Sequence, residues 1–208
     1  IPKGVLKKWS DKNLTKKKYS CSIFMIYLGI NKRLPLNHHS IVFAKEYRKN
    51  VEEMFNGILT EKDFSLYLRD ATNTDSTLAP EGKTALYVLI PVPNNRANIN
   101  WKEKKQIIRD RVFELMEERL KLGDLKKNIE VEKIITPDDW EKDFNVDLGA
   151  VFNLGHNLGQ MLWFRPHNRF EELQNLYLVG GGTHPGSGLP TIYQSGKIAA
   201  DLIKEKYL

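Results

Sequence analysis

The chain has 208 residues, of which 41% are hydrophobic and 28% are charged, a balance typical of a globular protein with one large or two small domains. Its single cysteine, Cys21, excludes an internal disulfide and a cysteine metal cluster, and it fits a reducing cytoplasm. The longest apolar run, 85–92, is only as long as a strand, so no membrane-spanning helix is predicted. We expect Cys21 to be a small strand residue and not a nucleophile.

The formal net charge is +6, and much of the positive excess lies near the start of the chain. Such a cluster is compatible with a solvated basic face and with attraction to an anionic membrane surface. No recognition motif or interleaved aromatic residues accompany it, so nucleic acid is not predicted as a partner. The early lysines are Lys3, Lys7, Lys8, Lys12, Lys16, Lys17 and Lys18.

The spacing of apolar residues predicts strands separated by helices. The clearest helix places an apolar stripe along one side of a charged surface, and the strands are rich in β-branched and aromatic residues. In chain order the predicted elements are a strand over 19–30, a helix over 46–55, strands over 64–70 and 83–92, a helix over 101–122, a strand over 129–135, a short helix after Thr136, a strand over 176–179 and a helix opening at Pro190.

The stretches between these elements are predicted to be loops. His38 and His39 fall at the end of a polar loop over 31–39, where we expect them on the surface; without a third ligand they predict no metal site. Asp138 and Asp139 follow a Thr-Pro helix start and are better explained as first-turn helix acids than as catalytic acids.

The element order predicts an α/β fold with two parts. Residues 1–148 are expected to form a mixed sheet with helices across it, and 149–208 to add the last strand and helix of a Rossmann-like dinucleotide-binding domain. That second domain is incomplete, because the chain lacks the G-x-G-x-x-G that an intact unit needs for a pyrophosphate.

Five of the 14 glycines lie within 180–188, between the predicted last strand and last helix. Glycine permits close backbone approach, and a helix N-terminus offers N–H groups and partial positive charge, so the segment suits an anionic or electron-rich ligand. From spacing alone, a tight turn whose glycines serve only backbone geometry explains it equally well.

The closing segment, LYLVGGGTHPGSGLPTIYQSGKIAADLI, resembles the flavin-binding signature of the carotenoid (phytoene-type) desaturases, closest to the bacterial dehydrosqualene (4,4′-diapophytoene) branch. Three further blocks are similar to the same family, in family order. They are LKKWSDKNLTKKKYSCSIFMIYLGIN, LAPEGKTALYVLIPVPN and GHNLGQMLWFRPHN.

The resemblance implies a C-terminal portion of such an enzyme, because family members are more than twice as long and begin with V-x-G-x-G-x-x-G. Residues 1–148 would then be most of a substrate domain, and 149–208 would complete an FAD-binding domain whose N-terminal half is an expected partner. The implied reaction is FAD-dependent desaturation of a linear C30-type carotenoid precursor. A terminal-methyl oxidase of the same superfamily and a non-enzymatic lipid-binding module remain alternatives.

The resemblance also implies site residues. His184 is a candidate catalytic base or a loop anchor, His156 faces the flavin or caps a turn, and Arg165 lies in a family motif without an assigned step. The implied FAD contacts are Gly181, Gly182, Thr183, Gly188, Leu189, Pro190, Thr191 and Ile192.

A membrane-dissolved polyene substrate further implies a peripheral enzyme at the cytoplasmic face of the cell membrane. The early lysines, with Leu6 and Trp9, are candidates for its membrane-facing surface.

Overall fold

The computed structural model describes residues 5–208, so Lys3 lies outside the described part. The chain divides into a sheet unit, Cys21–Ala150, and a terminal unit, which combines the residues up to Ser20 with Val151–Leu208. The helices and strands are α1 (Asp11–Leu14), β1 (Ser22–Ile30), β2 (His39–Val42), α2 (Tyr47–Phe55), β3 (Leu66–Asp70), β4 (Thr84–Val92), α3 (Trp101–Leu120), β5 (Ile129–Ile135), α4 (Pro137–Phe144) and α5 (Leu189–Tyr207).

The sheet unit contains one five-stranded sheet in the order β2-β3-β4-β1-β5. Every neighbouring pair is antiparallel, so the predicted α/β character is confirmed but the predicted mixed sheet is wrong. Helices between strands suggested parallel pairs. However, α2 joins the antiparallel neighbours β2 and β3, and α3 joins β4 to β5, which run in the same direction but are separated by β1. Tyr27 of β1 lies opposite Tyr87 of β4 at the centre of the sheet.

One face of the sheet is covered by α3 and forms the core. Alternate β1 residues, Phe24, Ile26, Leu28 and Ile30, point into it, as period-two alternation requires. The predicted apolar stripe of α3 packs against them, and Trp101 at the helix start lies 5.7 Å from Phe24, ring centroid to ring centroid. The opposite face, which we call the outer face, keeps several side chains exposed, such as Ile41, Val131 and Tyr27.

The short helix α4 begins as its sequence predicts. Thr136 and Asp139 form a reciprocal capping box, with Asp139 accepting hydrogen bonds from the Thr136 backbone N–H and hydroxyl at 2.8 Å each, and Pro137 stands in the first turn. The two acids therefore belong to the helix start.

Three local predictions need correction. His39 opens β2 and pairs with Arg69, so it is a strand residue and not part of a surface loop. The segment 176–179 is not a strand. Within the described chain its backbone forms one isolated β-bridge, between Tyr177 and Arg169. Cys21 lies just before β1, where burial raises the pKa of its thiol to about 11.

In the terminal unit, two carboxylates hold the N-terminal segment. Glu172 accepts the backbone N–H groups of Lys7 at 3.0 Å and Lys8 at 2.5 Å, and Glu171 accepts the indole N–H of Trp9 at 2.9 Å. Trp9 is only 3% exposed, so its predicted contribution to a membrane-facing surface is wrong. Among the described residues, no helix combines the length and apolar character needed to cross a bilayer.

The contacts of Glu171 make the terminal unit sensitive to acid. Burial by itself raises the pKa of Glu171, but hydrogen bonds from Trp9 and Lys8 outweigh it and lower the pKa from 4.5 to about 2. A carboxyl group whose pKa is lowered by folding stabilises the fold at pH values above its unfolded-state pKa, and this contribution is lost as the pH falls from 4.5 towards 2.

Hydrogen exchange over this pH range is expected to show a smaller loss of protection in Glu171→Gln than in the parent. A control variant, Glu205→Gln on the exposed end of α5, should follow the parent; identical curves for all three would contradict the assignment.

Candidate functional site

The predicted site residues all lie in the terminal unit, around the segment 180–188, which we call the glycine turn. Two buried polar residues attach this turn to α5. The Ser195 hydroxyl accepts hydrogen bonds from the Asn168 side-chain amide at 2.8 Å and from the Gly180 N–H at 3.2 Å, and Asn168 also donates to the Leu178 carbonyl. The start of the turn is therefore held against the helix by side chains that face inward.

Arg165 is completely buried beneath the glycine turn. Its guanidinium donates to the carbonyl of Gly181 and to that of Leu154, both at 2.8 Å. Its Nε is buried without a partner, and a Cβ at Gly186 would stand 3.5 Å from that nitrogen. Burial lowers the pKa of this guanidinium, and an arginine so placed is a buried positive centre that joins two backbone segments.

Thr183 and His184 hold the middle of the turn to the Arg165-Pro166 segment. The hydroxyl of Thr183 and the backbone N–H of His184 both donate to the Pro166 carbonyl, the latter at 2.9 Å. The Nδ1 of His184 is buried without a hydrogen-bond partner. The backbone contact fits the predicted anchoring role, while the unpartnered ring nitrogen leaves His184 a polar atom for a ligand.

His156 is joined to the far side of the turn. Its Nε2 lies 2.5 Å from the hydroxyl of Ser187. Burial and then the positive charge of Arg165 lower the pKa of His156, so the imidazole is neutral near pH 7. A neutral ring forms one hydrogen bond with Ser187, as donor or acceptor according to its tautomer. This contact corresponds to the turn-capping role that the sequence analysis offered as one of two alternatives for His156.

The glycine turn leads directly into α5. Gly188 precedes the helix with φ +113°, a conformation that favours glycine, and no side chain caps the helix. Pro190 stands in the first turn, Thr191 turns its hydroxyl back to the Gly188 carbonyl at 2.7 Å, and Leu189 is 68% exposed. An uncapped helix start with an open first turn offers N–H groups and partial positive charge to a ligand.

Space around two glycines is limited. A Cβ at Gly181 would lie 3.1 Å from Cβ of Ser187, and one at Gly182 would lie 2.8 Å from the side-chain amide of Asn153. The turn therefore folds closely on its own neighbours, which accounts for glycine at these positions without a ligand.

The structure connects the predicted residues to one turn without forming a catalytic dyad or triad. No hydrogen bond joins any two of His156, Arg165 and His184, all of which lie in the described chain. Sequence reasoning missed Asn168 and Ser195, which attach the turn to α5. Asn168 ends the GHNLGQMLWFRPHN block and Ser195 lies 27 residues later within α5, so their contact appears only in three dimensions.

Comparison with known proteins places the chain in a family. No protein-family model matches it. It is 53% identical over 207 residues to a 4,4′-diapophytoene desaturase (4,4′-diapolycopene-forming) of Methylomonas sp, an alignment that covers 100% of this chain and 40% of the relative. It is 42% identical over 194 residues to a phytoene desaturase (lycopene-forming) of Pseudescherichia vulneris, covering 92% of this chain and 39% of the relative.

A third relative is a 4,4′-diapophytoene desaturase (4,4′-diaponeurosporene-forming) of Staphylococcus haemolyticus, 36% identical over 205 residues, which are 96% of this chain and 41% of the relative. The chain thus spans about two fifths of the length of the curated relatives that it matches. Similarity over nearly every residue, together with the four sequence blocks, shows that the chain belongs to the carotenoid (phytoene-type) desaturase family, of whose members it represents a C-terminal portion.

Proposed function

We propose that this chain is part of an FAD-dependent desaturase that acts on a linear C30 carotenoid precursor of the 4,4′-diapophytoene type. The observation that carries the proposal is the glycine turn, which runs into the uncapped, exposed start of α5. The names of the relatives from Methylomonas and Staphylococcus support the substrate class.

The residues of the turn fit a flavin. The Nε of Arg165 and the Nδ1 of His184 are buried polar atoms without partners, and each is available to a ligand. We propose that Gly181, Gly182, Thr183 and Gly188 contact the ribityl and pyrophosphate region, and that the first turn of α5, Leu189 to Ile192, approaches the ring system.

In the proposed reaction, bound flavin supplies the acceptor for a hydride from the polyene. The protein's own contribution is orientation and electrostatics. The N-terminal dipole of α5 favours negative charge placed beside it, and Pro190, which has no backbone N–H, adds no unpaired donor at its own position. Arg165 holds the Gly181 carbonyl in place and adds positive charge below the turn.

FAD binding also requires a pyrophosphate loop, and the chain contains no G-x-G-x-x-G. We propose that the remaining part of the enzyme, corresponding to the rest of the relatives' length, supplies that loop and completes a Rossmann-like domain with the terminal unit. The sheet unit is then the substrate domain. The proposed boundary after Ala150 lies two residues from the sequence-based boundary after residue 148. In addition, residues 5–20, which the sequence assigned to the substrate domain, are here proposed as part of the flavin-binding domain.

We also propose that the enzyme is peripheral at the cytoplasmic face of the cell membrane. Support comes from exposed apolar residues at 158–164, where Leu158 is 89% and Trp163 is 71% exposed. A basic segment is attached to this loop, since the Gln160 side chain exchanges hydrogen bonds with the backbone of Lys18 at 2.7 and 3.0 Å. Apolar contact and lysine charge together favour an anionic bilayer.

The proposal is tested in a chimaera in which this chain replaces the matching segment of the Methylomonas relative. The purified chimaera is expected to carry flavin, and cells that accumulate 4,4′-diapophytoene are expected to form coloured, desaturated products. The isolated 208-residue chain is expected to retain little flavin. A colourless, flavin-free chimaera would contradict the proposal, whereas oxidised terminal methyl groups in place of new double bonds would assign the oxidase reaction.

A further inference from the structure

The outer face of the sheet presents two neighbouring rows of side chains, each of which crosses all five strands. The strand register places one residue of every strand in each row, so that a row spans four strand spacings, or about 19 Å. The first, which we call the apolar row, consists in spatial order of Ile41, Tyr67, Leu89, Met25 and Ile135. The second, which we call the aromatic–cation row, consists of His39, Arg69, Tyr87, Tyr27 and Lys133.

Both rows are open along most of their length. Ile41 is 61% exposed and Tyr27 is 38% exposed. Only Met25 and Ile135, at the β5 end of the apolar row, are buried, and the other members of the two rows are half-buried or exposed. The sheet unit therefore presents a band of apolar side chains and aromatic rings that the function proposed above does not use.

The aromatic rings of the two rows are held by contacts with one another. The ring of Tyr87 is in edge-to-face contact with that of Tyr67 at 5.8 Å and with that of Tyr27 at 6.2 Å, measured between centroids. The Tyr67 hydroxyl lies 2.6 Å from Nδ1 of His39. The guanidinium carbon of Arg69 lies 5.8 Å from the centre of the Tyr87 ring. Side chains that are already ordered lose little freedom when a ligand binds, so this surface is preorganised.

The two rows carry positive charge and contain no carboxylate. Arg69 and Lys133 belong to the aromatic–cation row, and in the part of the chain that the structure describes neither forms a salt bridge. A cation is attracted to the negative face of a π system. An apolar protein segment packed on this face would bury the two cations without partners, which is costly. The rows are therefore complementary to a ligand that is both apolar and rich in π electrons.

A conjugated polyene is such a ligand, and desaturation strengthens both properties. Each desaturation lengthens the conjugated segment, in which rotation about the bonds is restricted, so the chain becomes flatter and more rigid. A rigid chain loses less conformational freedom on binding than a flexible one. Its longer π system also contacts more aromatic surface and more positive charge. The two rows should therefore bind a desaturated chain more tightly than its precursor.

We propose that the two rows form a binding surface selective for the conjugated segment of the carotenoid, and that this surface sets how many desaturations occur before the product is released. All ten residues belong to the sheet unit, and their role is binding and not chemistry. The ligand class rests on the function proposed above. A chain that has gained double bonds is held more tightly, so it is retained for a further desaturation instead of being released early.

The test measures carotenoid binding to the chimaera with its flavin reduced under anaerobic conditions, so that no turnover occurs. Binding of 4,4′-diapolycopene is followed by its absorbance, and that of 4,4′-diapophytoene by displacement of the first ligand. In Tyr87→Leu we expect the affinity for 4,4′-diapolycopene to fall about 10-fold and that for 4,4′-diapophytoene at most about twofold, because the ring is lost while apolar surface remains. In Lys133→Gln we expect a fall of about threefold for 4,4′-diapolycopene alone, because one cation is removed.

Two control variants separate the effect of the ring from that of the substitution itself. Tyr87→Phe keeps the aromatic ring and should bind both carotenoids as the parent does. Tyr47→Leu makes the same chemical change at an exposed position of α2 and should also match the parent. During turnover with oxidised flavin, Tyr87→Leu is expected to release a larger share of incompletely desaturated products than either control, at the same flavin content.

Equal weakening of both carotenoids in Tyr87→Leu would overturn the proposal, since a surface that is merely apolar does not distinguish them. Parent-like binding in both Tyr87→Leu and Lys133→Gln would overturn it as well and leave the face as a packing surface for the rest of the enzyme. If the two variants instead lose co-sedimentation with phosphatidylglycerol vesicles while carotenoid binding is unchanged, the face contacts the membrane and the proposal is wrong. A chimaera that prefers 4,4′-diapolycopene through the rows but carries no flavin would contradict the proposed function alone.

Discussion

Arg165→Leu is expected to lower the free energy of unfolding of the terminal unit by about 3–4 kcal/mol. The buried guanidinium holds the carbonyls of Gly181 and Leu154, and each buried carbonyl that loses its donor costs about 1–3 kcal/mol. Hydrogen exchange of terminal-unit peptides measures the change separately from the sheet unit. The glycine turn should lose protection first, because one of the two carbonyls belongs to it.

The matched control is Arg169→Leu, which makes the same chemical change at an exposed position four residues later. We expect its effect to stay within about 0.5 kcal/mol. Equal losses of protection in the two variants would show that leucine, and not the loss of the buried contacts, destabilises this segment. If Arg165→Leu keeps the exchange pattern of the parent, the carbonyl contacts do not support the turn.

Gly149→Ala is the second change with a large expected effect. It should lower the free energy of unfolding of the sheet unit by about 3 kcal/mol. Gly149 has φ +59°, and a Cβ there would lie well inside van der Waals contact with the carbonyl oxygen of Pro137. The left-handed conformation costs about 1–2 kcal/mol for alanine, and a backbone clash that must be relieved costs about 1–3 kcal/mol more. The Gly149 carbonyl also accepts the buried Ser22 hydroxyl at 2.5 Å, so displacement here disturbs the start of β1.

Gly82→Ala separates the two causes. Gly82 has φ +75°, but a Cβ there meets nothing within 4 Å, so only the conformational cost of about 1–2 kcal/mol is expected. Urea unfolding, with hydrogen exchange to locate the loss, compares the two variants. The clash is refuted if both alanines destabilise the sheet unit equally.

Local patterns predicted the elements whose stability comes from their own residues. The sequence predicts the apolar stripe of α3 because the spacing of its apolar residues follows the turns of that helix. It predicts the start of α4 because Thr136 and Asp139 cap that helix from within its own first turn. β2 was missed for the opposite reason: its four residues, His39 to Val42, form a strand only because β3 offers an edge to pair with. The apolar run 176–179 had strand composition but only one bridge to a neighbouring segment.

The candidate site also has a part that the sequence predicts and a part that only the structure shows. The glycine turn and the start of α5 were predictable, since glycine and proline act on their own backbone and four motif blocks supported them. The buried contacts of Arg165 and the bond between Asn168 and Ser195 join residues far apart in the chain. The pairing of Tyr27 with Tyr87 at the centre of the sheet likewise depends on the strand register.

The sequence by itself determined the family, the helices and central strands, and the residue types of the glycine turn, because these follow from short-range patterns and local backbone preferences. Only the tertiary structure decided that the sheet is wholly antiparallel, that Trp9 is buried, and that His39 meets Tyr67 across two strands. Strand pairing and side-chain hydrogen bonds connect residues tens of positions apart. Their geometry depends on register and packing, which no local pattern contains.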